Sequence, residues 1–284
     1  MNEAERSSVL EAAGTLRLMG LNASASSRLI TMLCDETVSA DELSLRIERE
    51  PVLSARVLRV ANSAFYGQQR SVTTIRRAVL VLGLKALRGI AAAACIDQVV
   101  PTKVAILPDA SAWLHHSLAT ALASEMLAGS SAPEISSVAF IAGLLHNLGV
   151  LIQTVVNPEG VAGMICARRA DPHRDIRELE QEHSVPPHER IAGLVFEDWR
   201  LPPGTVAAAM HHHRPAEAPA EFRPLAQLVG TAAHVALICG ATYSLELAPG
   251  GSAAPGLRLP PAEDMPEFQS ELQRRLDHLI AGLG

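Results

Sequence analysis

The chain has 284 residues, 48% of them hydrophobic but only 3% aromatic, and a formal net charge of −6. That length allows one large domain with an ample core. Much alanine and leucine with few aromatic residues excludes most β-sandwich and barrel designs, which lean on β-branched and aromatic side chains. The mild acidity names no partner. Four cysteines (Cys34, Cys95, Cys166 and Cys239) are scattered without a CxxC pair, the pattern of reduced thiols inside a cell. The polar start MNEAERSSVLEAA is no signal peptide, and the longest apolar run, AVLVLGLKALRGIAAAACI, is broken by Lys85 and Arg88. A cytoplasmic protein without membrane insertion is expected.

Helical signals follow one another along the chain. SADELSLRIERE opens with Ser39 and has Glu42 three residues on, a capping box. Pro51 suits the first turn of the next helix, where Val52, Ala55, Val57 and Leu58 form an apolar stripe. YGQQRSV reads as a turn around Gly67, and two helices are expected to meet near Gly83. Longer helices are predicted over 109–127 and 133–156, the second ended by Asn157-Pro158. Shorter ones follow over 159–170, 174–183, 187–199 and 203–213, then a longer one over 222–242. A Gly/Pro-rich linker is expected over 246–266. Beyond it, 267–284 is an amphipathic helix that either docks back or pairs with another copy. The fold class is all-α, about a dozen helices. Residues 1–245 form the domain, divided near 105 into an N-terminal part and a histidine-rich part.

Two asymmetries stand out. Between Arg46 and Arg88 there are nine basic residues against two acids, a local excess of about +7. Ten of the eleven histidines fall between His115 and His234.

The segment 50–91, with Leu58, Ala61-Asn62-Ser63, Tyr66-Gly67, Ile75, Ala78 and Leu82-Gly83, strongly resembles the opening of the HDOD family, the HD-related output domains of bacterial signalling proteins. WLHHS (113–117), AFIAGLLHNLG (139–149), HERIAGLVFEDWRLP (188–202) and MHHHRP (210–215) fit its second half, so the likeness covers roughly residues 20–240. It implies an all-helical signal-transduction domain related to HD phosphohydrolases, usually without enzyme activity.

Mapped by motif, a degenerate HD-type pocket falls on His116, His146, Asn147, His188, His211 or His212, and His234. Only one or two of His211-His212-His213 can face the pocket, because successive helical residues point about 100° apart, and His212 is the one favoured. Asn147 and His234 stand where the family's enzymatic relatives carry aspartates, and no HHE or GYP motif is present. Without those acids two divalent ions would be poorly compensated. No catalytic residue and no resident metal are therefore expected. If an ion binds, the donors are His116, His146, His188, His212 and His234, a set suited to one zinc, nickel, copper or iron. Asn62, Ser63 and Tyr66-Gly67 are read as shaping a helix end, and Trp113 and Trp199 as interhelical packing.

The leading reading is a non-enzymatic signalling module acting through an unidentified protein partner. One alternative is a regulator binding DNA or an anionic nucleotide through Arg56, Arg59, Arg76, Arg77, Lys85 and Arg88; DNA binding is the weaker expectation, since a basic face is a weak cue. The other is an HD-type phosphohydrolase with an atypical, histidine-rich site. Oligomeric state is left open.

Overall fold

Among the described residues, the computed structural model contains fourteen delimited α-helices and one short 3-10 turn, with no β-structure beyond an isolated bridge between Tyr243 and Glu246. The structure describes residues 25–63, 72–99, 109–131, 135–246 and 259–283, together with residues 3, 6–7 and 9–11. The turn expected around Tyr66-Gly67 and most of the expected linker lie outside the described residues.

The first half comprises α1 (Ala25–Cys34), α2 (Ala40–Glu48), α3 (Pro51–Ala61), α4 (Ile75–Leu82) and α5 (Leu84–Val99). Ser39 caps α2 by accepting from the Glu42 amide, and Pro51 sits in the first turn of α3. Asn62 pins the two ends of the undescribed 64–71 segment together. Its amide donates to the Leu58 and Val72 carbonyls at 2.8 Å and accepts from the Val72 N–H at 2.7 Å. Gly83 joins α4 to α5 at φ +80°, a backbone angle that favours glycine.

The second half runs α6 (Ala110–Ser131), α7 (Ser136–Leu145), α8 (Leu148–Val156), α9 (Pro158–Ala170), α10 (Ile176–Glu182), α11 (His188–Asp198), α12 (Pro203–His211) and α13 (Arg223–Ile238). The single helix expected over 133–156 is two. Asn147 takes φ −102°, ψ 14°, outside the helical basin, and the chain breaks at His146-Asn147. The stretch Val138–Val156 is apolar enough to cross a membrane, but 89% of it is buried inside the protein. α7 and α8 approach their neighbours closely through glycine. A Cβ on Gly143 would lie 2.6 Å from Ser124 Oγ, and one on Gly149 only 2.0 Å from the His188 carbonyl oxygen.

The final helix, α14 (Met265–Leu283), docks back on α3, α5 and α6. It buries Leu272, Leu276, Leu279 and Leu283, and a Cβ on Gly282 would meet Val60 at 2.4 Å. Glu125 of α6 bridges to Lys85 at 3.4 Å and to Arg275 of α14 at 3.9 Å. The four cysteines are unbonded, and burial pushes the Cys34 and Cys95 thiols up to about 12.

Candidate functional site

Helix ends build the site. His116 projects from α6, His146 and Asn147 occupy the break between α7 and α8, His188 opens α11, and His212 and His213 close α12. Their rings form a continuous chain. Centroids lie 5.4 Å apart for His116–His146, 4.9 Å for His146–His212, 5.5 Å for His188–His212 and 4.2 Å for His212–His213. Trp113 is fully buried and donates from its indole to the Asn147 carbonyl at 3.3 Å, so the interhelical packing expected of it also holds the α7–α8 break.

Each of the buried histidines is held by Nδ1. That nitrogen lies 2.8 Å from the Ala241 carbonyl in His116, 2.7 Å from Gly143 O in His146 and 2.9 Å from Ala209 O in His212. A carbonyl only accepts, so all three rings carry a proton on Nδ1. The Nε2 atoms of His146 and His212 are buried without a hydrogen-bond partner, while that of His116 faces an acid. His188 differs, because its Nδ1 meets the buried Glu180 carboxylate at 2.6 Å and its Nε2 lies 3.2 Å from His213 Nε2.

The electrostatics separate these groups. Burial, reinforced by the neighbouring imidazoles, holds His146 well below its ordinary value and pushes His212 down to about 3. Burial also opposes a charge on His188, but the Glu180 carboxylate outweighs it and raises that ring to about 9. Glu180 accepts from the His188 backbone N–H and from Gln153 on the same oxygen, at 2.9 and 2.7 Å.

Glu246 joins the cluster without any motif to announce it. One carboxylate oxygen accepts from Asn147 Nδ2 at 2.9 Å and lies 3.1 Å from His116 Nε2; the other is 3.6 Å from His213 Nε2. Burial would raise this carboxyl, yet His116, His213 and His146 around it keep it well below the usual carboxylate range. Burial and the Glu246 charge push the Tyr243 phenol well above its ordinary value.

Several expectations need correction. His234 does not belong to either close group of donors; it sits half-exposed on α13, and the acid in the pocket is Glu246 from the segment after that helix. His212 points inward as expected and His211 does not, but His213 joins it. Asn147 lies in the pocket as expected, its amide nitrogen facing the Glu246 carboxylate and the Tyr243 hydroxyl and its amide oxygen buried without a partner. The six basic residues do not form a free cationic face either. Arg56 is bonded to Asp97, Arg76 lies 3.5 Å from Asp41, and Lys85 is near Glu125. Arg88 is buried and donates to the carbonyls of Met32, Leu33, Asp35 and Val38 at the end of α1. Of the six, Arg59, Arg77 and Arg88 have no ion pair to an acid among the described residues, Arg88 being held by backbone carbonyls instead.

Two sets of donors lie close enough to hold an ion: His116, His146 and Glu246, and His188, His212 and His213, each with its ligand atoms within 4.8 Å. Bare, buried Nε2 atoms whose partner nitrogens are fixed from behind are the usual preparation of a metal-ligating histidine. One borderline cation such as zinc fits neutral imidazoles plus a single carboxylate. Two divalent ions do not, because Glu246 alone would face four positive charges while Glu180 is committed to His188.

Fold and site together define an all-helical module built around a buried histidine–glutamate cluster. The HDOD domain profile matches residues 21–215, and the chain belongs to that family. A candidate signal transduction protein from Marinobacter aquaeolei VT8 superposes with TM-score 0.73 at 24% identity, over 91% of this chain and 58% of its own. A candidate phosphohydrolase from Shewanella amazonensis SB2B gives 0.71 at 24% over 92% and 93%. An HDOD domain protein of unknown function from Geobacter sulfurreducens gives 0.67 at 19% over 91% and 90%. These likenesses establish the fold. An uncharacterized protein of Treponema pallidum (strain Nichols) is 24% identical over 212 residues, and the chain spans 37% of its length.

Proposed function

We propose that this chain is a signalling module that acts by contact with another protein and turns over no substrate. In this reading the buried cluster holds one transition-metal ion as a structural or sensing element. The supporting observation is enclosure: His116, His146, Asn147, His188, His212, Tyr243 and Glu246 are each at most 6% exposed, and of the cluster only the His213 side chain reaches solvent appreciably. A phosphate ester attacked by a metal-bound water must reach the ion, and hydrolysis of this class needs an open coordination position as well as carboxylate charge. Neither is provided by sealed imidazoles with one ionised acid. Held by His116, His146 and Glu246, the ion would tie α6, the α7–α8 break and the segment after α13 together. His146 and His212 are neutral and ready to ligate, while Glu246 supplies compensating charge. Support for signalling comes from the family and from the structural neighbour described as a signal transduction protein.

The competing reading, a phosphohydrolase, draws on the neighbour described in those words. Incubating the full chain with mono-, di- and cyclic nucleotides and a generic phosphodiester, with manganese or zinc, separates the two. No turnover above a His146→Ala control is expected. Turnover abolished by that substitution would establish the enzyme.

A further inference from the structure

The acid of the cluster arrives by an unusual route. It is not on any helix of the domain, and it lies 31 residues beyond the end of the HDOD match at 215. After α13 the chain reverses at Gly240 (φ +88°), runs back over the core, and closes a tight turn in which Tyr243 and Glu246 exchange both backbone hydrogen bonds at 3.0 Å. Ala241, Tyr243, Leu245 and Glu246 on this strap are all buried. Its outer side is anchored by Asp109, which accepts from the Ser244 N–H at 2.6 Å and the Ser244 hydroxyl at 2.8 Å.

The strap serves the histidines twice. The Ala241 carbonyl fixes His116 through Nδ1, and Glu246 brings its carboxylate to within 3.1 Å of Nε2 on the same ring. Burying an ionised carboxylate costs several kcal/mol unless a cation or enough donors compensate it. Glu246 lies 3.1 Å from His116 Nε2 and accepts from Asn147 Nδ2 at 2.9 Å, and its carboxylate completes a buried three-donor group with His116 and His146, the ligand atoms all within 4.8 Å. A strap that delivers a buried acid to two imidazole nitrogens has the composition of a metal clasp.

We infer that Glu246 is the carboxylate ligand of the cluster and that ion binding latches the 240–246 strap onto the domain, so that metal occupancy and strap docking stabilise one another. This rests on the metal-centre reading of the previous subsection. Binding and docking are thermodynamically linked, so loosening the strap at a residue that touches no ligand must also weaken the ion. Asp109 is that residue, a positioning group for the strap.

The test uses the full, untagged chain, with zinc as the probe. Affinity is measured by competition with a chelator, and amide hydrogen exchange is followed across 240–246 with and without zinc. Wild type should bind zinc and protect the strap on binding. Glu246→Gln should lose about 100-fold in affinity and show no zinc-dependent protection, of the order of losing a ligand rather than a supporting group. Asp109→Asn should weaken zinc about five- to tenfold, within the range typical of allosteric coupling. Binding by wild type that is unchanged in both variants, with strap exchange indifferent to zinc, overturns the latch and leaves the metal centre standing. No zinc binding by wild type overturns the metal centre and the latch with it.

Discussion

Replacing Asn147 by aspartate would create the histidine–aspartate pair expected of the family's enzymatic relatives, and the structure predicts that it harms the metal-free protein. The Asn147 amide donates to Glu246 at 2.9 Å, so a carboxylate in its place would set two acids at hydrogen-bond distance in a fully buried site. The loss of a hydrogen bond to a charged group is worth about 1.5–3 kcal/mol. Repulsion adds to it until one acid takes a proton, which at neutral pH costs about 4 kcal/mol for an ordinary carboxyl. A net destabilisation of about 2–4 kcal/mol follows, because the proton taken up restores one hydrogen bond. For a chain of this size that is a drop in Tm of about 3–7 °C. Differential scanning fluorimetry in EDTA measures it directly. Zinc should narrow the gap, since a cation compensates two acids better than one. An Asn147→Asp protein as stable as wild type in EDTA, or more so, would refute the assignment of Asn147 as the donor that holds Glu246. Hydrolytic activity should not appear in this variant.

Other outcomes follow from the same geometry. Gly149→Ala places a methyl 2.0 Å from the His188 carbonyl, where only backbone can give way, and should cost about 1–3 kcal/mol despite alanine's better helix propensity; chemical denaturation reads it. Arg88→Met removes donors from four carbonyls at the end of α1 and should lower stability by about 2–4 kcal/mol, while leaving any binding to heparin or DNA unchanged. In metal-free protein the His188–Glu180 pair raises His188 from 6.5 to about 9. A raised pKa gives stability that is full below pH 6.5 and is lost as pH climbs through 9, and a His188→Gln variant should flatten that slope in a Tm-versus-pH series. Leu276→Asp, on the buried face of α14, should raise hydrogen exchange along that helix while the Tm of the remaining domain changes little.

The helical architecture was readable because its signals are local. Ser39 with Glu42, Pro51, Gly83 and Asn157-Pro158 each mark an end by their own backbone chemistry, and each end is found where those residues stand. The break at His146-Asn147 was hidden inside an apolar run whose periodicity continues unbroken, because there the ring contacts and the Trp113 hydrogen bond decide the backbone. His116, His146, His188 and His212 could be named by spacing within motifs. Glu246 could not, since it stands 99 residues from Asn147 and a lone acid near a Gly/Pro-rich stretch reads as solvated surface. His234 was misplaced for the complementary reason: a helix position matched the expected order, while the carboxylate came from the strap beyond that helix. The charge count from Arg46 to Arg88 could not show which cations are paired, because Asp41, Asp97 and Glu125 are brought to them only by packing.

The central claim is a sealed cluster that holds one ion. Elemental analysis of the full chain, purified without a histidine tag and dialysed after exposure to zinc, tests it most directly. About one zinc per chain is expected, with that zinc lost in a His146→Ala, Glu246→Gln double variant that remains folded. Less than about a tenth of an ion per chain, with no rise in melting temperature on adding zinc, contradicts it, because a site binding only the native state must stabilise that state.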